Sequence, residues 1–580
     1  MGKIIKILKE HKWAIILAFI ATVIIAYPQI HFRYNNADVY QGIELMGAPA
    51  DETAWLSRVR EAQDGHPSLS CVYYKDGKDN PYLLQPLGTM TVAYLGKIFS
   101  LDINNTLLLA RSFLSFLVFL IIYAFVFLFS KGKLTALTAT AALILGRDIF
   151  VRGGIMKMLT TGTPSDSFLG LMRVVNPLMT YFFFFGFLLF FWLFLERKQW
   201  IWGIISAVLL GLSFYDFFYT WTFLYASIGI LLLVFLCQKR WQDVKRVILV
   251  AALAALIAVP YLINLYQVTT YPIYQEVALR FGMMEGRAFV FGILAPALFL
   301  AVLIFFPRRP KDRYFFALSL AAALLIVLNQ QLIIGQRLNS AHYHWYFVFP
   351  LAIIFLFVIA FAWLPRIKLG NLNRVLAVLA IAFFIYTGIL VQRASYAVRE
   401  NGMIEKQRYG QLMDWFNKNA EKEEVVFSND ETARLIVIYT PLNVFYHRSV
   451  KYCLAASEER LMNTLFLYYR LEGVDKNQAA SVFSKDRKNI SSAIYGLHYR
   501  ETTGDYEGIP DEVIKEFSRK YQETFSLSDS EFLNNIWTQY EVEYLVWDIA
   551  KNPKWQLDQY PFLERVAEIG DFAIYQIKYR

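Results

Sequence analysis

Cysteine is scarce in this sequence, which has 580 residues and only Cys71, Cys237 and Cys453. No pair of them has the Cys-x-x-Cys spacing of zinc and redox motifs. The spacing therefore indicates neither a cysteine metal centre nor a disulfide framework. A single bridge between Cys71 and Cys453 stays open if both residues lie on one side of a membrane.

Charged residues are also few. They make up 18% of the chain, whereas soluble globular domains have about 25%. Hydrophobic residues reach 57%, and runs such as "FLSFLVFLIIYAFVFLF" and "YFFFFGFLLFFWLFL" recur through the first two-thirds. Each run approaches the roughly 20 residues that cross hydrocarbon. These features exclude a soluble protein and predict an α-helical polytopic membrane protein, without internal repeats.

The apolar runs predict about eleven transmembrane helices. The first follows "MGKIIKILKEHK" and lacks an A-x-A-like cleavage site, so we interpret it as a retained helix rather than a signal peptide. The segment 134–146 is so short that a re-entrant segment is an alternative. The predicted spans are 13–31, 107–130, 134–146, 177–196, 200–216, 219–237, 246–267, 288–306, 314–333, 346–364 and 375–392.

The formal charge of +10 does not call for a nucleic-acid partner, because Lys and Arg beside membrane spans act as topology signals. If every predicted span crosses, the N-terminal lysines and all the short basic links fall on one side, the cytoplasm. This predicts a multi-pass protein of the cell (inner) membrane with a cytoplasmic N-terminus. The loops predicted outside are 32–106, 147–176, 268–287 and 334–345.

Two domains follow from this topology: a membrane domain over 1–392 and an extracytoplasmic soluble α/β domain over 393–580. In the second, "QLMDWFNKN" has helical spacing, "EEVVFSND" and "VEYLVWD" resemble strands, and a hairpin is predicted around Gly570-Asp571. Ser428-Asn429 has the pattern of a helix N-cap, which makes the following Asp430-Glu431 pair structural.

The first outer loop contains a second acidic pair, Asp51 and Glu52, in "GAPADETAW". One interpretation is structural, since acidic residues stabilise a helix N-terminus. The other is functional, since a carboxylate at the membrane surface can remove a proton from an acceptor.

A family resemblance favours the functional interpretation. The run "DETAWLSRVREAQDG" resembles the D-E-x-x-Y-x-x-x-x-R-E-x motif of GT-C glycosyltransferases, especially the aminoarabinose transferase and protein O-mannosyltransferase group. "NPYLLQPLGTMTVAYLGKIFSLD" is similar to the K-P-P-L-x-Y-W-L stretch of the family, and "LLLARSFLSFLVFLIIYAF" to its A-R-L-x-S-x-L helix. Two positions depart from the pattern: Trp55 replaces Tyr, and Asn80-Pro81-Tyr82 replaces Lys-Pro-Pro.

The resemblance implies an enzyme, a hexosyl or pentosyl transferase that uses a polyprenyl-phosphate sugar in the outer leaflet. The acceptor would be a lipid, a glycan or a protein outside the cytoplasm. By this resemblance Asp51 is the general base, Glu52 supports it or positions the acceptor, and the transfer inverts the anomeric carbon. A divalent cation, Mg²⁺ or Mn²⁺, is possible as a cofactor, and its ligands stay unassigned.

The leaving phosphate needs cationic stabilisation, and the loop 147–176 is unusually basic for an outer loop. Arg147, Arg152, Lys157 and Arg173 are the predicted donor-phosphate ligands. The guanidinium groups of the three arginines present a fixed fork to phosphate. The alternative is that they pair with Asp148 and Asp166 or contact anionic lipid headgroups.

A second polar cluster lies in "NQQLIIGQRLNSAHYHWYF". Polar residues near membrane depth are costly, which favours function. His342 and His344 would share a metal only on a strand, where both rings share one face, and mutual hydrogen bonding is the alternative. Asp216 lies between two spans, as a turn residue or an auxiliary acid. The predicted substrate pocket comprises Arg58, Asp216, Gln330, Gln331, Arg337, His342 and His344.

Two rival functions stay open. A transporter or flippase of a lipid-linked substrate would share the membrane spans, although transporters often contain internal repeats and polar residues at the midplane. A catalytically silent GT-C relative would share the motif, because fold does not fix function.

Overall fold

The computed structural model describes residues 2–46, 49–364, 371–496 and 508–578, with the backbone alone for 2–4 and 49–51. Long helices form the first two-thirds of the chain. In order they are α1 (Gly2–Glu10), α2 (Lys12–Asn35), α3 (Pro49–Asp64), α4 (Leu87–Ile98), α5 (Ile103–Ser130), α6 (Lys133–Ile144), α7 (Arg147–Phe150), α8 (Gly154–Thr161), α9 (Thr180–Arg197), α10 (Trp200–Ser213), α11 (Phe218–Cys237), α12 (Trp241–Ile257), α13 (Val259–Thr269), α14 (Tyr274–Arg280), α15 (Leu294–Phe305), α16 (Lys311–Val327), α17 (Gln331–Ile334), α18 (Ser340–Tyr343), α19 (Phe349–Trp363) and α20 (Leu372–Glu405).

The prediction of a polytopic helical membrane protein is confirmed. Among the described residues, six helical runs are long and apolar enough to cross a membrane, and α12 with α13, bent by 55°, is a seventh candidate. All eleven predicted spans overlap helices, but α6, α10 and α15 are shorter apolar helices. The six runs are Lys12–Asn35, Ile103–Ser130, Val174–Arg197, Phe218–Cys237, Ser340–Trp363 and Leu372–Asn419.

Helix α6 shows how a short segment is accommodated. Its 12 residues rise about 18 Å, well under the roughly 30 Å of hydrocarbon. All residues from Thr135 to Ile144 are buried, and the helix packs against α5, α19 and α20. Most of this predicted span is therefore surrounded by longer helices and not by lipid.

Four of the basic links between the helices lie together at one end of the bundle, and most of the fifth, with Arg366 and Lys368, lies outside the described residues. Ion pairs join the four links across elements that are distant in sequence, and the positive-inside pattern predicts such clustering. The pairs are Lys133 with Glu10, Lys131 with Glu196, Lys198 with Asp243 and Arg240 with Asp312.

The C-terminal part combines helices with a mixed sheet, as predicted. The sheet has the strand order β4-β3-β5-β7-β6, in which β3 pairs in parallel with β4 and β5, and β7 pairs antiparallel with β5 and β6. A separate two-stranded ladder, β1 with β2, joins the predicted outer loops 268–287 and 334–345. The strands are β1 (Met284–Glu285), β2 (Gln336–Arg337), β3 (Val425–Phe427), β4 (Asn443–Val444), β5 (Val542–Asp548), β6 (Leu563–Ile569) and β7 (Phe572–Ile577).

The helices of this part are α21 (Gly410–Asn419), α22 (Asp430–Tyr439), α23 (Glu458–Leu471), α24 (Ala479–Lys485), α25 (Arg487–Tyr495), α26 (Asp511–Glu523) and α27 (Asp529–Gln539). The predicted hairpin turns at Gly570, whose φ of +55° favours glycine. The predicted N-cap is Asn429, whose side chain accepts from the backbone N–H of Thr432 at 2.9 Å. The Asp430-Glu431 pair thus occupies the first turn of α22.

Helix α20 connects the two parts without a break, so the predicted boundary at 392 falls inside it. The side chain of Gln407 accepts from the N–H of Gln41 and donates to the carbonyl of Ile43, at 2.8 and 2.7 Å. Tyr439 of α22 accepts from the N–H of Glu44 at 2.8 Å. Because α22 also packs on α3, the first outer loop is held directly by the C-terminal part.

The loop between α3 and α4 extends this contact along the edge of the sheet. The N–H of Val444 in β4 donates to the carbonyl of Tyr73 at 2.9 Å. The ring of Tyr73 stacks on His447, with centroids 4.9 Å apart. His447 is fully buried, and its Nδ1 accepts from the N–H of Ser449 at 3.1 Å.

Stability in acid is expected to depend on His447. Burial lowers the pKa of His447 to about 4, below the usual value of about 6.5. In the window between these values the unfolded chain binds a proton that the folded protein does not. The neutral state of His447 therefore contributes to the free energy of unfolding. This contribution is fully present above pH 6.5 and decreases by about 3 kcal/mol in total as the pH falls through 4.

Thermal melting at stepped pH checks this expectation. His447→Asn keeps a hydrogen-bond acceptor without a titrating ring, so its Tm is expected to fall less than that of the wild type between pH 6.5 and 4.5. Parallel decreases of the two melting temperatures would contradict the assignment.

Candidate active site

A cavity of about 350 Å³ lies where the first outer loop, the loop 147–176 and α20 meet. Its wall combines acidic, basic and aromatic side chains from segments that are far apart in sequence. A smaller cavity of about 30 Å³ adjoins it, and Glu52, Met172 and Arg173 line both. The larger wall comprises Glu52, Arg147, Asp148, Val151, Ser167, Phe168, Leu169, Gly170, Met172, Arg173, Trp345 and Arg399.

Glu52 reaches this cavity from the first turn of α3, where the sequence predicts a helix start. The side chain of Asp51 lies outside the described residues. Consecutive residues on a helix project about 100° apart, so the two acids of the pair do not have equivalent positions. Leu56 and Val59, one and two turns further along, are buried and anchor α3.

Two cations that the sequence analysis did not single out interact with Glu52. Arg111 of α5 is buried, and Lys406 just beyond α20 is half-buried; both are attracted electrostatically to Glu52. Arg111 is held in place by donating to the carbonyl of Met172 at 2.9 Å. Burial lowers the pKa of Lys406, with acidic neighbours opposing. Glu52 therefore lies among positive charges from both parts of the chain.

The cavity brings together two of the four predicted phosphate ligands, Arg147 and Arg173. Arg147 donates to the carbonyl of Trp345 at 3.1 Å and lies 5.6 Å from the centroid of its ring. A Cβ at Gly170 would lie 2.8 Å from Nη1 of Arg147, so the guanidinium packs directly on this glycine. Any larger residue at position 170 would displace it.

Arg399 supplies a third guanidinium. It donates to the carbonyls of Asp166 and Ser395 at 2.6 and 3.1 Å and lies 5.2 Å from the ring centroid of Phe168. The three arginines give the cavity a net positive wall, suited to an anionic group of a ligand.

Asp148 is the second acid on the cavity wall. Burial raises the pKa of its carboxyl, and Arg147 opposes this shift. In the sequence, Asp148 is predicted only as a partner for a loop cation.

The other two predicted phosphate ligands do not line the cavity. Arg152 is exposed. Lys157 forms a surface ion pair with Asp166 at 2.5 Å, which is one of the alternatives that the sequence left open.

Arg58 and its neighbours in the motif hold α3 in place. Arg58 is buried and donates to the carbonyls of Leu69 and Leu84, at 3.0 and 2.8 Å. Burial lowers the pKa of Arg58 to about 10, so it stays charged at neutral pH. Glu61 accepts from Lys78 at 2.5 Å. These contacts hold the side chain of Arg58 against the loop between α3 and α4, not on the cavity wall.

The second predicted polar cluster lies beside the cavity. Gln330 accepts from the hydroxyl of Tyr343, Gln331 donates to the carbonyl of Ala288, and Arg337 lies exposed on β2. His342 and His344 lie on a helical run, not on a strand. Their rings contact Tyr219 and Trp345 respectively, so the condition for a shared metal is absent here. Through Trp345, His344 contacts the cavity wall.

Asp216 is buried at the turn between α10 and α11. A Cβ at Gly88 of α4 would lie 2.7 Å from its Oδ1, so Asp216 packs against the start of α4 rather than lining the cavity. An auxiliary role stays a prediction. Within the described residues, no three side chains of His, Cys, Asp or Glu form a metal-binding group.

Comparisons with known proteins found solved structures to which the chain is similar. No protein-family model and no curated protein matches the chain. It is similar to the crystal structure of ArnT from Cupriavidus metallidurans bound to undecaprenyl phosphate, with 12% identity over 97% of this chain and 98% of that one and a TM-score of 0.46. It is also similar to the apo oligosaccharyltransferase of Archaeoglobus fulgidus, with 14% identity over 91% of this chain and 69% of that one and a TM-score of 0.42.

Proposed function

We propose that this protein is a GT-C-type glycosyltransferase that moves a sugar from a polyprenyl-phosphate donor to an acceptor outside the cytoplasm. The observation that carries the proposal is the cavity, where an acid of the Asp51-Glu52 pair and three arginines meet. The sequence motif supports it independently, because the acidic pair and the loop cations are predicted from the sequence alone, without reference to their proximity in space.

The acidic and the basic side chains have different roles in the proposed reaction. Asp51 removes a proton from the acceptor hydroxyl or amine as that group attacks the anomeric carbon. The bond between this carbon and the phosphate oxygen breaks in the same displacement, which inverts the anomeric centre. Arg173, Arg147 and Arg399 stabilise the charge that develops on the leaving phosphate. Glu52, on the cavity wall, positions the acceptor.

The proposed setting is the cell (inner) membrane. The end of the bundle that carries the basic links faces the cytoplasm, by the positive-inside rule. The cavity and the domain 393–580 then lie on the opposite, extracytoplasmic side. The donor enters from the outer leaflet, and a lipid, glycan or protein of the cell envelope is the acceptor.

A direct assay tests this function. Purified protein, a radiolabelled polyprenyl-phosphate sugar and a detergent extract of the cell envelope are expected to yield polyprenyl phosphate and a labelled acceptor. Release is expected to depend on the extract, because the extract supplies the nucleophile.

The rival functions give different results in the same system. Movement of the labelled lipid across sealed vesicles, without cleavage of the sugar–phosphate bond, would indicate a flippase instead. Intact donor in every extract, with donor binding retained, would indicate a silent relative.

A further inference from the structure

The loop that follows α3 runs along a segment of the C-terminal part. The backbone bond between Tyr73 and Val444 and the ring stack of Tyr73 on His447 mark its first half. Further along, a Cβ at Gly77 would lie 2.7 Å from the Cβ of Ala455. The segments 71–77 and 444–455 therefore contact each other at both Tyr73 and Gly77.

Cys71 and Cys453 face each other inside this contact. Both thiols are free and buried. The two side chains interact with each other, and the backbone of Val72 also interacts with Cys453. A disulfide needs two cysteines whose Cβ atoms lie about 3.8 Å apart and point toward each other. Two interacting cysteine side chains at the contact of two chain segments are candidates for that arrangement.

The third cysteine is in a different place. Cys237 is exposed at the end of α11, immediately before the basic link at Lys239 and Arg240. Under the proposed orientation this end faces the reducing cytoplasm, whereas Cys71 and Cys453 face an oxidising compartment. The two interacting cysteines therefore lie on the oxidising side, and the single exposed cysteine lies on the reducing side.

We propose that Cys71 and Cys453 form a disulfide bond that fastens the first outer loop to the C-terminal part. The inference rests on the orientation given under the proposed function. Two S–H bonds break and one S–S bond forms. The two electrons and two protons pass to the disulfide of an extracytoplasmic thiol oxidase, which becomes a dithiol. Since both sulfurs are buried in the folded protein, the exchange takes place during folding.

The bond would stabilise the position of α3. Arg58 of α3 donates to the carbonyl of Leu69, two residues before Cys71, and α22 of the C-terminal part packs on α3. A covalent link at Cys71 limits the separation of α3 from the C-terminal part and so preserves the cavity wall that Glu52 contributes.

Peptide mass spectrometry tests the bond directly. Protein from native membranes is acid-quenched, denatured and alkylated with iodoacetamide, then reduced and labelled with N-ethylmaleimide. We expect Cys71 and Cys453 to carry the second label and one cross-linked peptide to appear without reduction, while Cys237 carries the first label. Carbamidomethyl on both Cys71 and Cys453 would overturn the proposal.

A set of variants adds a second measurement. Cys71→Ala, Cys453→Ala and the double variant are each expected to melt about 5–10 °C below the wild type, because each removes the same bond. Cys237→Ala is the matched control and is expected to melt with the wild type. If any variant fails to fold, the wild-type mass spectrum still decides. Neither readout requires sugar transfer, so a failed transfer assay and an absent bond are separate results.

Discussion

Asp51→Asn is expected to lower kcat for sugar transfer by about 100- to 10,000-fold, the usual contribution of a general base. Asparagine keeps the size of the side chain but cannot accept the proton of the acceptor. The KM for the donor is expected to change little, because the proposed ligands of the donor phosphate are arginines and not Asp51. Initial rates of polyprenyl phosphate release at several donor concentrations measure both quantities.

Two further variants define the roles of the acids. Glu52→Gln is expected to act mainly on the KM of the acceptor, since Glu52 lines the cavity and is assigned to positioning. Asp64→Asn, at the other end of α3, removes a carboxylate that pairs with Arg60 and is expected to keep activity within about twofold, as surface pairs contribute little. A larger loss of kcat in Glu52→Gln than in Asp51→Asn would reverse the two assignments.

Much of the fold follows from local patterns in the sequence. Apolar runs determine where helices lie in a membrane protein because unsatisfied backbone groups are costly in lipid. That is why all eleven predicted spans overlap helices. The hairpin at Gly570 and the N-cap at Asn429 are predictable for other local reasons: glycine tolerates a positive φ, and an asparagine side chain accepts from the backbone of the first helical turn. Helix lengths were less predictable, since the packing of α6 inside the bundle, not its own hydropathy, permits 12 residues.

Local sequence patterns do not predict which of the loop cations line the cavity. Arg147, Arg152, Lys157 and Arg173 have the same charge and share one loop, so composition cannot separate them. Their positions depend on tertiary contacts, such as the close approach of Arg147 to Gly170. No property of the sequence near Arg152 or Lys157 indicates that they face solvent.

Arg399 is not among the predicted site residues, although the spacing of the polar residues around it contains a signal. Gln392, Ser395, Tyr396 and Arg399 have the i, i+3, i+4, i+7 spacing of one helix face, and the first three are buried. A polar residue buried on a helix at the membrane boundary indicates a partner, and Gln392 accepts from the N–H of Leu169 at 3.1 Å. Extending the last predicted span past residue 392 would have placed Arg399 beside the loop 147–176.

Arg173→Met is expected to lower kcat by about 100- to 1,000-fold, the effect of removing one preorganised donor to a developing charge. Arg173 is chosen because it lines both cavities together with Glu52, which places it nearest the proposed reacting atoms. Arg147 and Arg399 donate to protein carbonyls, so part of their hydrogen-bonding capacity is already used. Arg173→Lys is expected to recover a fraction of the activity, because it keeps the charge but loses the fork.

The matched control is Arg519→Met, which removes an arginine of α26 that is more than half exposed and pairs with Glu516 and Glu523. It is expected to keep kcat and KM within about twofold.

If Arg173 holds the leaving phosphate, the effect of Arg173→Met is expected to depend on the donor. A donor whose leaving group needs less stabilisation, such as a polyprenyl pyrophosphate sugar, should lose less rate in Arg173→Met than the monophosphate does, since its charge is spread over two phosphates. Equal losses with both donors would mean that Arg173 stabilises the fold or the ground state, and Arg147 or Arg399 would then be the residue that contacts the leaving group.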